Sequence, residues 1–541
     1  MATALFFSFI GSLLICMALI PALTASAWKL QFVDVPRDRR MHVAPVAKVG
    51  GIAFAVGTIA AVLLWAPKDQ IVLASLLGGA VILIFGIWDD CVELGPRIKF
   101  AGQILAAAIV IAFAGVRVTS IPFFDEQAFP VWVAALITAI LIVGMTNAVN
   151  LADGLDGLAG GLSLLSFAGI AYLSYQAGDQ MLMLLMVSVL GSLLGFLRFN
   201  TYPARVFMGD AGSQFLGHYL AVAALLLVDP ARSPYSPLIV LFLWGIPLLD
   251  TLGVMGQRLL ERRSPFVGDR NHIHHKLLAM GLTHRQAVTS IYMTQGLSIG
   301  CAYLLCWQTD VVVLLAYLLF AGAVLSLFVF APRSKSTMPI ATILPPATIA
   351  RTSATPSQYG WPLQALKWIV PLYLLVCVAI PREIPRDAGL IAAGLLAAVL
   401  VGLFIAKGAP LAIRIGLYIG STFIMYYSEM VPRTSMDGLL TPLNAGFALL
   451  ALLVVLTIRL TGDDRFQTTP LDYLIVLLAL MLPFLPDLMV GEVYVSVLTA
   501  KLIVLFLAFE LLMPVSRAEV ARLGWLTAWM LTGLVVRAWW L

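Results

Sequence analysis

The sequence predicts an all-α, polytopic transmembrane bundle, and three observations predict it. Of the 541 residues, 61% are apolar and only 11% are charged, which is too apolar for a soluble domain. The apolar residues gather in runs long enough to cross a bilayer as helices, about 20 residues each. They do not form the ~10-residue alternating segments of a transmembrane barrel. The Lys and Arg residues concentrate on alternate connections between the runs, as positive-inside topology requires.

Eleven runs precede residue 332: 3–24, 49–66, 70–88, 99–115, 130–148, 158–176, 180–198, 212–228, 237–256, 288–307 and 310–330. The first closes on Ala25-Ser26-Ala27, which resembles a signal-peptide cleavage site, but no Lys or Arg precedes Lys29. Without a positive n-region, an uncleaved first helix with its N-terminus outside is expected. From that start, connections 25–48, 89–98, 149–157, 199–211 and 257–287 are cytoplasmic. With helix-end residues assigned to the nearer loop, they hold 15 Lys and Arg, against three on the other side, Lys68, Arg117 and Arg232. Every polar motif of this half then lies on the cytoplasmic face.

A first membrane domain, 1–331, is followed by a stretch rich in Pro, Ser and Thr, 332–366, expected as a cytoplasmic linker. Seven more runs follow, near 367–381, 388–406, 411–428, 439–458, 471–486, 493–514 and 523–540. This additional transmembrane region, 367–541, carries no repeated acidic cluster and does not repeat the first half. The net charge of +5 comes largely from loop Lys and Arg, and no basic run resembles a nucleic-acid patch. Four of the five cysteines (Cys16, Cys91, Cys301, Cys306, Cys377) fall in apolar runs, without metal-ligand spacing.

Chemistry is carried by the polar connections. The stretch Thr146 to Gly161 reads as a polar, acidic, glycine-rich loop holding Asn147, Asn150, Asp153 and Asp156. Its Asp and Asn oxygens suit a hard cation such as Mg²⁺, although Gly and Asn also make ordinary turns. The first loop carries Arg37, Arg39, Arg40, His42 and Lys48 before Gly50-Gly51. Those cations suit phosphates and equally suit plain membrane anchoring. Asp89-Asp90, followed by Lys99, form a second site. Adjacent carboxylates repel and have unlike pKa values or share a cation, and a solvated helix end is the alternative. Asn200 and Phe207-Met208-Gly209-Asp210 precede a span, so Asp210 is expected at a helix N-terminus, an end that attracts anions. Phe207 could stack on a base or simply pack. The longest loop holds Asp269, Arg270, His272, His274, His275 and Lys276. A phosphate cradle, a solvated basic loop and a zinc site compete there, and zinc lacks an obvious fourth ligand. His218, alone in an apolar run, reads as a satisfied buried residue. Together these groups are the inventory for Mg²⁺-assisted phosphoryl chemistry on a diphosphate at a membrane surface.

Five separated segments, His42 to Gly51, Asp89-Asp90 to Lys99, Asn147 to Gly157, Asn200 to Ser213 and Asp269 to His275, resemble in order the polyprenyl-phosphate N-acetylhexosamine-1-phosphate transferases. The resemblance implies transfer of a sugar-1-phosphate from a UDP-N-acetylhexosamine to undecaprenyl phosphate, with UMP released and Mg²⁺ required (Mn²⁺ as the alternative). It implies a multi-pass protein of the inner (cytoplasmic) membrane, in contact with the lipid bilayer, and leaves a homo-oligomer open. By similarity, Asp210 and Asn150 hold the metal. Asp89 is the base for the lipid phosphate and Asp90 supports it. Lys99 holds phosphate, Lys48 stands where Arg is common, and Asn147, Asn200, Arg270 and His272 line the substrate. Asp156 and Phe207 lie in the uridine pocket, Asp153 stands among the catalytic carboxylates, and His274 and His275 face the diphosphate. The His272-Ile273-His274-His275 form resembles the N-acetylglucosamine branch. Two rivals remain: an intramembrane prenyltransferase, suggested by Asn150-x-x-Asp153-x-x-Asp156, and a transporter, which would place its polar groups at mid-membrane. The region 332–541 lies outside the resemblance.

Overall fold

Each of the eleven apolar runs of the first half forms a helix. The computed structural model describes residues 2–27, 29, 32–34, 45–119, 122–123, 129–264, 271–329, 361–380, 384–404, 409–430, 433–460, 489–490, 493–512 and 517–540. The helices are α1 (Ala2–Ala27), α2 (Gly50–Trp65), α3 (Gln70–Val92), α4 (Pro96–Ile109, extended by a π-turn Val110–Ala114), α5 (Val131–Ala152), α6 (Leu158–Gln176), α7 (Gln180–Asn200), α8 (Gly209–Leu227), α9 (Ile239–Leu260), α10 (Ile273–Ala279), α11 (His284–Leu305) and α12 (Asp310–Val329). Two-residue strands, β1 (Val33–Asp34) and β2 (Val46–Ala47), pair antiparallel before α2. Among the described residues, nine helices are long and apolar enough to span a membrane, and the protein is an all-α polytopic bundle.

The chain divides into two compact units, whose described parts are residues 2–329 and 361–540. In the first, α8 is the axis. Every residue from Ala211 to Leu227 is buried, as expected of a helix apolar on all sides, and α2, α3, α5, α6 and α9 all pack on it. α1 packs on α2 and α7, and α11 on α6 and α9. Small residues set the closest approaches: Gly51 meets the backbone of Gly212, Gly86 that of Ala211, and Gly217 that of Thr146. Within a bilayer, close backbone packing replaces the hydrophobic drive that water supplies elsewhere.

α9 is broken where its sequence says it must be. Gly245 adopts φ +46°, two residues before Pro247, a conformation open to glycine at little cost. The freed Ile246 amide donates to Gln295 Oε1 of α11 at 2.8 Å, and Gln295 Nε2 donates to Ser166 Oγ of α6 at 2.9 Å. Side chains of neighbouring helices thus satisfy the backbone that the break exposes.

Two boundaries differ from the sequence expectation. The acidic loop is shorter: α5 continues through Asn147 and Asn150 to Ala152, leaving only residues 153–157 as turn. Both carboxamides have side-chain partners on neighbouring helices, so they do not need to break the helix. Most of the expected linker 332–366 lies outside the described residues, and its end is helical from Trp361, with Pro362 in the first turn.

The second unit contains α13 (Trp361–Ala379), α14 (Arg386–Phe404), α15 (Ala409–Glu429), α16 (Arg433–Leu460), α17 (Val495–Leu512) and α18 (Arg517–Trp540), with a two-residue hairpin, β3 (Met489–Val490) and β4 (Val493–Tyr494), before α17. The expected span 471–486 lies outside the described residues. α14 packs on α15 and α18, and α13 on α16. Lys501 of α17 is buried and donates to Glu429 at the end of α15 and to Asn444 of α16, the latter at 2.7 Å.

Candidate active site

Successive antiparallel helices bring one set of ends together: the C-termini of α3, α5, α7 and α9 and the N-termini of α4, α6, α8 and α11. The polar motifs sit at these ends. Asp89 and Asp90 share the last turn of α3 but face different partners. Asp89 is buried. Its Oδ1 accepts the Leu94 amide at 2.7 Å and its Oδ2 lies 2.5 Å from Lys99 Nζ, in the first turn of α4. The same ammonium lies 3.4 Å from Asp210 Oδ2, so Lys99 bridges the two carboxylates.

Asp90 instead caps α8. Its two oxygens accept the Asp210 and Ala211 amides, each at 3.0 Å, and satisfy orphan donors at the positive end of the helix. Lys48 Nζ stands 3.8 Å from it. Gly209 begins the helix at φ +68°, and a Cβ there would overlap the Asp90 carboxylate. A residue other than glycine would therefore displace the cap.

Asn150, in the last turn of α5, donates through Nδ2 to Asp210 Oδ1 and to Ser213 Oγ, both at 2.7 Å. One turn deeper, Asn147 Nδ2 donates to Gln103 Oε1 at 2.7 Å, and Gln103 Nε2 donates to Gln214 Oε1 at 3.1 Å. Asn147 thus belongs to a polar layer supporting the carboxylates from below. Gln103 follows Lys99 by four residues and Gln214 follows Asp210 by four. That helical spacing is the sequence signal for both.

Among the described residues, no three His, Cys, Asp or Glu stand at metal-ligand separation. The oxygen-bearing side chains at this point are the carboxylate of Asp210, about one-third exposed, and the amide of Asn150 beside it. One carboxylate and one neutral oxygen, with further carboxylates beside them, suit Mg²⁺, which keeps several waters and takes substrate phosphate oxygens.

The turn 153–157 adjoins this cluster. Half-buried Asp153 has its carboxyl pushed up to about 8, by burial first and then by the charges of Asp210, Asp156 and Asp90. Asp156 Oδ2 accepts the Ala204 amide at 2.9 Å. Asn150 and Asp156 therefore face different partners, and the Asn150-x-x-Asp153-x-x-Asp156 pattern does not make one ligand face of a helix. Asn200 is buried with both ends of its amide tied to backbone: Oδ1 accepts the Gly157 amide at 3.0 Å and Nδ2 donates to Val206 O at 2.9 Å. The amide thereby ties two loops together. Phe207 is fixed through its backbone, donating to Ala47 O at 2.8 Å and accepting from the Gly50 amide at 2.9 Å. His284 stacks on Tyr202 at 4.3 Å, with Nε2 3.3 Å from Asp156 O.

The histidine segment lies across the turn. His274 is buried, and a Cβ on Gly154 would overlap its imidazole. Burial, then the neighbouring His275, pushes the His274 ring down to about 3, so it is neutral at physiological pH. The cations beside the carboxylates are Lys48 and Lys99. His272 and His274 stack at 5.9 Å with planes 7° apart, and His275 lies 4.2 Å from His274. Asp250, inside the apolar run 237–256, accepts from His272 Nδ1 at 2.8 Å. The expected site residue Arg270, with Asp269, His42, Arg37, Arg39 and Arg40, lies outside the described residues.

Residues 72–228 match glycosyl transferase family 4. The chain is 37% identical over 289 residues to a probable undecaprenyl-phosphate N-acetylglucosaminyl 1-phosphate transferase of Bacillus subtilis (strain 168), a match covering 80% of that protein and 53% of this chain. The chain belongs to glycosyl transferase family 4. Other family 4 relatives are a decaprenyl-phosphate N-acetylglucosaminephosphotransferase of Mycobacterium tuberculosis (strain ATCC 25618 / H37Rv), 34% identical over 50% of this chain and 75% of the relative, and an undecaprenyl-phosphate alpha-N-acetylglucosaminyl 1-phosphate transferase of Escherichia coli (strain K12), 30% identical over 54% and 84%. The family 4 match spans α3 to α8 and so contains the whole carboxylate cluster.

Proposed function

We propose that this protein transfers N-acetylglucosamine-1-phosphate from UDP-N-acetylglucosamine to undecaprenyl phosphate at the cytoplasmic face of the inner membrane. The observation that carries the reading is the convergence of Asp89, Lys99, Asn150 and Asp210 at one set of helix ends. Ionisable groups gathered at helix termini suit a reaction between a membrane lipid and a soluble nucleotide sugar. A transporter would hold them at mid-membrane. The names of the relatives agree with this acceptor and this sugar.

In this reading a lipid-phosphate oxygen attacks the sugar-bearing phosphorus of the UDP-sugar. The bond to the bridging oxygen breaks, and that oxygen leaves on UMP. Lys99 holds the lipid phosphate and Asp89, ion-paired beside it, takes its remaining proton. Asp210 and Asn150 hold Mg²⁺, which when bound neutralises and orients diphosphate oxygens. Lys48 adds a cation at the N-terminus of α8. Neutral His274 and its neighbours close the site over the turn at Gly154, and Asp156 lies toward the nucleoside.

The test is a lipid-extraction assay on the purified full-length protein, with undecaprenyl phosphate, Mg²⁺ and a panel of labelled UDP-sugars, while UMP is measured in parallel. The expected result is label from UDP-N-acetylglucosamine in the lipid phase, matched by UMP and abolished by EDTA. Folded protein that moves no sugar from any UDP donor to lipid would overturn the proposal.

A further inference from the structure

We infer that Asp250 is a positioning residue for the histidine segment, fixing both the tautomer of His272 and the place where α10 begins; its effect on catalysis rests on the function proposed above. The residue lies beyond the Gly245 break of α9, in the half-helix that Gln295 anchors. It is buried, in a membrane protein where a carboxylate is expensive unless paired. Both oxygens are used on the same short stretch: Oδ2 is 2.8 Å from His272 Nδ1, and Oδ1 accepts the Ile273 amide at 2.8 Å.

A carboxylate only accepts hydrogen bonds, so Asp250 holds a proton on His272 Nδ1 and leaves Nε2 as the ring nitrogen facing away from it. The second bond pins the first residue of α10, whose N-cap, His272, makes no side-chain cap of its own. The fixed ring stacks on His274, and His274 packs against Gly154 in the acidic turn. One buried carboxylate thereby sets the height and rotation of three histidines over the turn that adjoins Asp210. Small misplacement of a positioning group costs large factors in rate.

Asp250→Asn separates the two roles. Its oxygen still accepts the Ile273 amide, but its NH₂ faces Nδ1 and forces the His272 proton onto Nε2. Asp250→Ala removes both bonds. With UDP-N-acetylglucosamine as donor, Asp250→Asn is expected to lower kcat/KM for the nucleotide sugar by about tenfold to a hundredfold. The KM for undecaprenyl phosphate, held on the Lys99 side, should stay within twofold. Adding Asp250→Asn to His272→Gln should cause little further loss, since both act through one ring. Hydrogen exchange needs no turnover: residues 273–279 should exchange faster in Asp250→Ala than in wild type and stay protected in Asp250→Asn. Wild-type kcat/KM in Asp250→Asn overturns the tautomer role, and unchanged exchange in Asp250→Ala overturns the pinning role. If the wild-type protein transfers no sugar, the proposed function fails, and the exchange comparison still decides whether Asp250 holds α10.

Discussion

Asp90 and Asp210 are neighbours in space with different work, and substitution separates them. Asp90 spends both oxygens on the first amides of α8. Asp90→Asn leaves one acceptor, so detergent-solubilised protein should lose about 1–2 kcal/mol of stability, as for a lost helix cap. Asp210 presents a carboxylate to the open side of the cluster. Asp210→Asn should lower turnover by about 10²–10³-fold, the scale of one removed electrostatic group, with an unchanged melting temperature. Equal melting temperatures for Asp90→Asn and wild type would show that the cap is dispensable. His274 offers a pH test. Its folded pKa of about 3 lies below the ordinary value near 6.5. Between those values the unfolded chain binds a proton that the folded chain refuses, so its contribution to stability is complete above pH 6.5 and falls as the pH drops, by at most about 1.4 kcal/mol per unit. Thermal unfolding at pH 7.5 and 5 should show that slope reduced in His274→Gln; an identical slope would assign it elsewhere.

At the scale of the element, the contact between α2 and α8 decides whether the site forms. A Cβ on Gly51 would overlap Met208 O and the backbone of Gly212, the positions two residues on either side of Asp210. Gly51→Ala should therefore cost about 1–3 kcal/mol by overpacking and reduce turnover as α8 shifts. Gly256→Ala, with open space around its Cβ, should leave melting and turnover unchanged, and equal behaviour of the two variants would argue against the close packing. The helices themselves were legible because bilayer-length apolar runs have few alternative readings, and Asp210 was legible at a helix start because Gly209 and the apolar run mark one. Three features were not. The end of α5 was hidden because Asn147 and Asn150 are satisfied by Gln103, Asp210 and Ser213, partners that come from other helices. Asn200 ties Gly157 to Val206 through its amide, partners that no local sequence pattern marks. Asp250 sat unnoticed in an apolar run, although the cost of a bare carboxylate there was the signal that something distant, here His272, pairs with it.

At the scale of the whole molecule, the carboxylate cluster belongs entirely to the first unit, and the second unit has its own polar centre around the buried Lys501. Lys501 is 5% exposed and bound to Glu429 and Asn444. Desolvating two charges is costly, and the pair is tolerable only while both partners are present. Lys501→Met leaves the half-buried Glu429 carboxylate without its cation and should cost at most about 3–5 kcal/mol, the scale for a fully buried pair. Replacing both, Lys501→Met with Glu429→Leu, should recover most of that loss, because an apolar pair needs no compensating charge. Both residues belong to the second unit, outside the 72–228 family match, so the double variant should transfer sugar at the wild-type rate. Unfolding curves of the two variants beside the wild type decide the point. A Lys501→Met protein within 1 kcal/mol of the wild type would mean that water or another group already solvates Glu429, and the second unit would then need a polar opening to admit it.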